Sequence, residues 1–247
     1  MIVSLAPGVQ MAFERVAGGP FLMGSRPDDV AAFADERPQL TLHLPTYFMG
    51  RHPVTVRQFA AFVRATGYEC AADNDVTRRP AFPVTGVLWH DALAFCRWAS
   101  VYTGRNIRLP TEAEWEKAAR GADGRLFPWG NEPADPSRCN MALYLRGPSI
   151  VGRYSPQGDS PYGCTDMAGN VWEWTSSLYR PYPYAPDDGR EDAEAAGRRV
   201  LRGGCWQDNA RLVRTANRGG FDPVHWLAAI GFRCVCEARE GEEDDRK

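Results

Sequence analysis

Along the first hundred residues the apolar positions change their period. Leu40, Leu42 and Leu44 alternate with Thr41 and His43 up to Pro45, the two-residue repeat of a half-buried strand. Upstream, Gly and Pro breaks around Phe21-Leu22-Met23-Gly24 predict short strands joined by a turn across Met11 to Gly24. From Thr55 the period lengthens. Phe59, Phe62 and Val63 fall on one face of a helix that Thr55 caps and Gly67 ends. Ala92, Phe95, Cys96 and Ala99 repeat the pattern in a second helix expected from Asp91 through Ala99. Thr111 and Glu114 form a capping box, which predicts a short third helix ahead of Gly121.

Between Gly121 and about Gly197 neither period holds, and Gly, Pro, Asp, Trp and Tyr dominate. So long an irregular stretch inside a compact domain requires staples other than backbone ladders, a bound cation being one candidate. Val200 to Arg202 and Ile230 to Cys236 read as closing strands. No fixed-period repeat and no Pro/Ser-rich linker divides the chain, which predicts one domain over residues 1–236. The charged, Gly-containing stretch 237–247 is expected to be a disordered tail.

Charge narrows the partners. Lys and Arg number 29 against 31 Asp and Glu, so no global field favours nucleic acid or an anionic membrane. The N-terminus has neither a basic n-region nor a sustained apolar h-region. No run approaches the ~20 apolar residues a membrane helix needs, so a cytoplasmic protein without a membrane span is expected. Seven cysteines without zinc-type CxxC pairs are expected to be free and mostly buried thiols. Cys234 and Cys236 share one face of a strand, where an i,i+2 disulfide would be strained.

Four blocks together resemble one known family. They are Phe21-Leu22-Met23-Gly24 with Pro53-Val54-Thr55; Arg108-Leu109-Pro110-Thr111-Glu112-Ala113-Glu114-Trp115-Glu116; Asp166-Met167-Ala168-Gly169-Asn170-Val171-Trp172-Glu173-Trp174; and Arg202-Gly203-Gly204 with Gly231-Phe232-Arg233. The sequence is similar to the formylglycine-generating-enzyme, or sulfatase-modifying-factor, family over roughly Ala12 to Val235. The resemblance implies a single α+β domain of C-type-lectin-like type, with an antiparallel core and irregular segments on the ligand-facing side. It also implies structural calcium held by Asp166, the carbonyls of Gly169 and Val171, and Glu173; such hard oxygen donors suit that ion. The alternative is that Asp166 and Glu173 cap turns or pair with arginines. A second family site would begin at Asn140 and Met141, but the loop completing it is not recognisable in Ala142 to Gly158.

The family's oxidase holds copper(I) with two cysteines, and a soft cation demands such thiolates. The corresponding positions here are Asp208 and Val213, so no copper is expected; Cys205 stands nearby where the family has Ser. A related branch holds iron with three histidines. His43, His52, His90 and His225 form no HxxxH or HxE cluster, and only His225 falls near the expected ligand face. Capping and helix-dipole stabilisation account for Glu112, Glu114 and Glu116 better than acid/base work does.

The region Cys205 to Ala229 is similar to the C-terminal region of diversity-generating-retroelement variable proteins, which display a binding patch on this fold and vary at template adenines. Leu212, Gly219, Gly220, Phe221, Asp222, His225, Leu227, Ala228 and Ala229 can all be reached from an AAC codon by changing adenines, and Trp226 would be a fixed member of the patch. An ordinary solvent loop could pass the same test. Phe221, His225, Trp226 and Leu227 would supply the aromatic and apolar chemistry of a hot spot. Trp226 could instead fill the core, as Trp172, Trp174 and Trp206 are expected to do. Arg218 and Arg233 are expected to pair with buried carboxylates. The leading reading is a scaffold for a protein ligand; the alternative is an oxidoreductase or accessory enzyme of the same family without copper.

Overall fold

The computed structural model describes residues 1–70, 72, 76–239 and 241–242. Its first sheet is antiparallel and joins the two ends of the described chain. Strands β1 (Ile2–Ala6) and β2 (Val9–Val16) form a hairpin, followed by β5 (Tyr47–Gly50), β11 (Val235–Glu237) and β6 (Ile107–Arg108) in the order β1-β2-β5-β11-β6. A second sheet runs β10 (Ile230–Phe232), β7 (Trp172–Leu178), β8 (Arg199–Arg202), β9 (Arg218–Phe221), with only the β10–β7 pair parallel. β3 (Gly19–Met23) and β4 (Leu40–Leu44) pair as a separate hairpin in the register that the leucine alternation requires.

The three helices lie where their periods placed them. α1 (Val56–Thr66) carries a complete Thr55–Gln58 capping box and ends at Gly67 in the left-handed conformation. α2 (Trp89–Thr103) is longer than expected at both ends. Asp91 is its third residue, reaching back to the Leu88 amide, and the helix continues to a left-handed Gly104. In α3 (Glu112–Arg120) the Thr111–Glu114 box forms as expected.

Phe59 and Phe95 from the first two helices meet Phe232, and Phe62 packs edge-on against Phe59 and Phe95. Phe59 stacks on Phe95 at 6.0 Å, and Phe95 meets Phe232 edge-on at 5.4 Å. This cluster continues through Trp89, Trp174 and Ile230, so both helices share a core with the two large sheets.

The expected closing strand Ile230 to Cys236 is two strands in different sheets. The chain changes sheet at Arg233, whose buried guanidinium donates to both Glu173 oxygens, at 2.6 and 2.7 Å, and to the carbonyls of Gly50 and Thr165. All seven cysteines are free, with Cys96 and Cys234 Sγ atoms 3.6 Å apart. The last strand reaches Glu237, one residue past the expected domain boundary. There Asn106 and Arg108 donate to its carboxylate, and Arg105 donates to Glu242 at 2.7 and 2.9 Å. Residues 240 and 243–247 of the expected tail lie outside the described residues.

Candidate functional site

The C-terminal segment between β8 and β10, with β9 in its middle, divides into a buried half and an exposed half. Past Gly203 and Gly204, both with positive φ, the chain turns inward; a Cβ on Gly204 would stand 2.8 Å from the Leu212 carbonyl. Val213 through Asn217 are buried, and Arg214 clamps Glu36 with two bonds of 2.6 and 2.9 Å. Leu212 is half-buried. Arg218 opens β9 with its guanidinium on both oxygens of Glu112, at 2.7 and 2.8 Å.

β9 itself is covered on both faces. Trp172 lies 3.7 Å from a Cβ placed on Gly219, and Tyr179 lies 2.5 Å from one placed on Gly220. Phe221 is half-buried with its ring 6.0 Å from Trp174. Ala229 is buried, and its carbonyl accepts from the Trp172 amide. Gly219, Gly220, Phe221 and Ala229 therefore take part in packing and pairing and Leu212 is half-buried, which narrows the expected binding surface. A codon test cannot register strand neighbours or burial.

What remains outward is the turn 222–228. Asp222 nucleates it: its carboxylate accepts from the Val224 amide at 3.1 Å, its carbonyl accepts from the His225 amide at 3.1 Å, and His225 Nδ1 stands 3.6 Å from its second oxygen. Trp226 is 52% exposed and Leu227 50%, so Trp226 is not a core filler. Val224 and Ala228 are exposed beside them. The indole rests on Gly86, whose amide donates to Ile230, so the turn is seated on backbone without being swallowed by it.

A second exposed apolar group was not anticipated. Leu143 and Tyr144 project from a loop whose Ala142, Leu143 and Arg146 have left-handed φ, with Ile150 further along the same irregular stretch. The Ala142 amide donates to the Asp208 carbonyl and the Leu143 amide to that of Trp206, at 2.7 and 2.8 Å. This loop thus rests on the segment that carries the position of the first oxidase cysteine. The run Ala142-Leu143-Tyr144-Leu145 within a polar, Gly-rich stretch was the available signal.

At the oxidase positions, Asp208 accepts from the Cys205 amide at 2.8 Å and Val213 is fully buried. Cys205 is buried too, and burial pushes its thiol up to about 12, away from thiolate chemistry. Glu112 and Glu116 are buried in ion pairs with Arg218 and with Arg120 and Arg202, and Glu114 caps α3 while holding Arg108. Of the histidines, His52 bonds Thr165 at 2.6 Å and is pushed down to about 4 by burial.

The residues expected to hold calcium occupy a tight turn. Asp166 has a left-handed backbone, and burial raises its carboxyl to about 6. Its oxygens accept from the Gly152 amide, the Thr165 hydroxyl and, more weakly, the Asn170 amide, with no cation directly on them. Glu173 Oε2 is taken by both Trp115 Nε1 and Arg233, whereas Oε1 accepts only from Arg233 and keeps a lone pair. Among the described residues no three His, Cys, Asp or Glu side chains converge as a metal cluster. Glu173 thus pairs with an arginine and Asp166 holds a turn, the alternative arrangement for these two residues.

A family model described as "Sulfatase-modifying factor enzyme 1-like domain" matches residues 10–238. The chain belongs to that family. Among its sulfatase-modifying-factor relatives, the formylglycine-generating enzyme of Thermomonospora curvata is 31% identical over 90% of this chain and 92% of its own length. The structure of PvdO from Pseudomonas aeruginosa superposes with a TM-score of 0.83 at 26% identity, covering 96% of this chain and 98% of that one. Treponema denticola variable protein 1 superposes with a TM-score of 0.75 at 23% identity, covering 93% and 96% of the two chains, and thus shares the C-type-lectin-like fold. No helix of the described residues is long and apolar enough to cross a membrane.

Proposed function

We propose that this family member is a ligand-binding scaffold that presents Asp222, His225, Trp226, Leu227 and Ala228 to a protein ligand. The observation that carries the reading is the exposure of Trp226 and Leu227 on a turn anchored by strands at both ends. A half-exposed indole on a rigid backbone seat is hot-spot chemistry, because little ordering entropy remains to be lost on binding. Trp226→Ala is expected to weaken partner binding about 30-fold or more, the effect of ~2 kcal/mol. Its melting temperature should stay near that of the parent; surface plasmon resonance and a thermal melt check the two halves.

The finer reading is a diversity-generating-retroelement variable protein acting in the cytoplasm, where free thiols persist. Sequencing the DNA downstream of the gene tests it. A near-copy of the Cys205 to Ala229 coding region differing at template adenines, beside a reverse-transcriptase gene, supports it; the absence of both removes it. The alternative, a formylglycine-generating-enzyme-like oxidoreductase, is favoured by the 31% identity to such an enzyme. With Asp208 and Val213 in place of the thiolates, it would have to run without copper. Oxygen uptake dependent on a cysteine-containing peptide would establish it.

Calcium belongs to this proposal as a staple. Asp166, the carbonyls of Gly169 and Val171, and the spare lone pair of Glu173 Oε1 would hold it, and it would neutralise a carboxylate that burial otherwise penalises. Added calcium is expected to raise the melting temperature of the parent by several degrees, on the order of 1–3 kcal/mol at saturating ion. It should leave Asp166→Ala unmoved. Equal shifts in both proteins would refute the assignment.

A further inference from the structure

The segment 79–86 joins a cluster of uncompensated positive charge to the seat of Trp226. Its backbone runs beside the entry to α1: the Val56 amide donates to the Phe82 carbonyl at 2.9 Å, and the Arg57 amide to that of Pro80 at 3.1 Å. The Val151 amide donates to the Ala81 carbonyl at 3.0 Å. Three exposed arginines are thereby gathered around residues 80–82: Arg57, Arg79, and Arg153 two residues beyond Val151. Among the described residues none of the three has a carboxylate partner, whereas Arg51 and Arg138 each face one at 3.6 Å. Arg79 and Arg153 lie over the rings of Phe82 and Tyr154 at 5.6 and 6.0 Å, contacts that supply no counter-charge. Arg57 stands in the first turn of α1, which holds no acidic residue, so the helix dipole adds to the cluster. At its far end the segment reaches Gly86, on which the Trp226 ring rests.

Like charges held this close repel one another until an anion lies against them. The chain as a whole carries a formal charge of -2, so the field is local and suits a partner with one acidic segment better than a polyanion. Apolar surface is interleaved with the arginines, from half-buried Phe82 and from Ile150, which is 43% exposed beside Val151. The residues from Arg79 to Gly86 span at most about 25 Å. A partner covering about 800 Å² of this protein, a patch roughly 30 Å across, would reach both ends. We propose that Arg57, Arg79 and Arg153 receive an acidic segment of the protein ligand whose neighbouring apolar surface meets Trp226 and Leu227. The proposal rests on the binding reading for the protein to which that segment belongs, not for the site itself.

The test therefore uses the isolated full chain. The ¹⁵N-labelled protein is titrated at low salt with an octaglutamate peptide, and with octaglutamine as a control. The expected result is a saturable shift of the amides of residues 57, 79, 81, 82 and 151–153 with octaglutamate alone. Affinity should fall about tenfold in Arg57→Glu/Arg79→Glu/Arg153→Glu, with the melting temperature near that of the parent. A control of equal charge at other exposed positions, Arg26→Glu/Arg97→Glu/Arg239→Glu, should lose clearly less. No saturable binding, shifts spread over the other exposed arginines, or equal losses in the two triple variants overturns the proposal. Tighter binding of octathymidylate or of phosphatidylserine vesicles than of octaglutamate also overturns it, in favour of a phosphate-bearing partner. Failure here leaves the binding reading standing on Trp226, because partner binding in Trp226→Ala is measured separately; failure there leaves octaglutamate binding unaffected.

Discussion

Arg233→Met is expected to be the most damaging single substitution outside the aromatic core, destabilising the protein by about 3–5 kcal/mol. The guanidinium sits fully buried against Glu173 and also satisfies the carbonyls of Gly50 and Thr165, so it joins β5, the turn at Thr165–Asp166 and β7 at the point where the chain passes between sheets. Removing it strands a buried carboxylate whose only other donor is Trp115 Nε1. Adding Glu173→Gln should recover more than half of the loss, because the amide retains an acceptor for Trp115 without an uncompensated charge. Urea unfolding of the parent, the single and the double variant measures this. Equal destabilisation in single and double variants would mean that packing, not charge, holds the junction.

Gly220→Val is expected to cost about 1–3 kcal/mol. Its Cβ would fall 2.5 Å from the Tyr179 ring, and that ring cannot swing aside freely: its hydroxyl bonds Asp35 at 2.5 Å, and Arg198 and Arg218 flank it at 4.9 and 4.6 Å. The matching change in the exposed turn, Ala228→Val, should lie within about 0.5 kcal/mol of the parent. Thermal melts of the two variants decide whether the segment is partitioned as described into a fixed strand and a free turn. A Gly220→Val protein as stable as the parent would show that the strand tolerates variation and would restore it to the candidate surface.

Local periodicity and capping chemistry made the helices and the β3–β4 hairpin legible, since Thr55, Thr111 and the leucine alternation each act over a few residues. The fold as a whole was legible through the tryptophan block and the Arg-Gly-Gly and Gly-Phe-Arg motifs, which proved to carry its buried ion pairs: Arg202 on Glu116 and Arg233 on Glu173. What stayed hidden was set by contacts distant in sequence. Nothing near Gly220 in the chain foretells Tyr179 against it. Ile230 to Cys236 reads as one strand because its side chains alternate without a break, although its two halves hydrogen-bond to different sheets. Leu143 and Tyr144 could not be placed, because an irregular loop has no period from which exposure can be read.

The central claim is that the turn 222–228 is the contact surface for a protein ligand. A photo-crosslinking residue installed at Leu227, and separately at Val101 on the exposed side of α2, tests it in the native host. The account predicts a discrete covalent adduct from position 227 and none from position 101. No adduct at 227, or the same set of adducts at both positions, would contradict it.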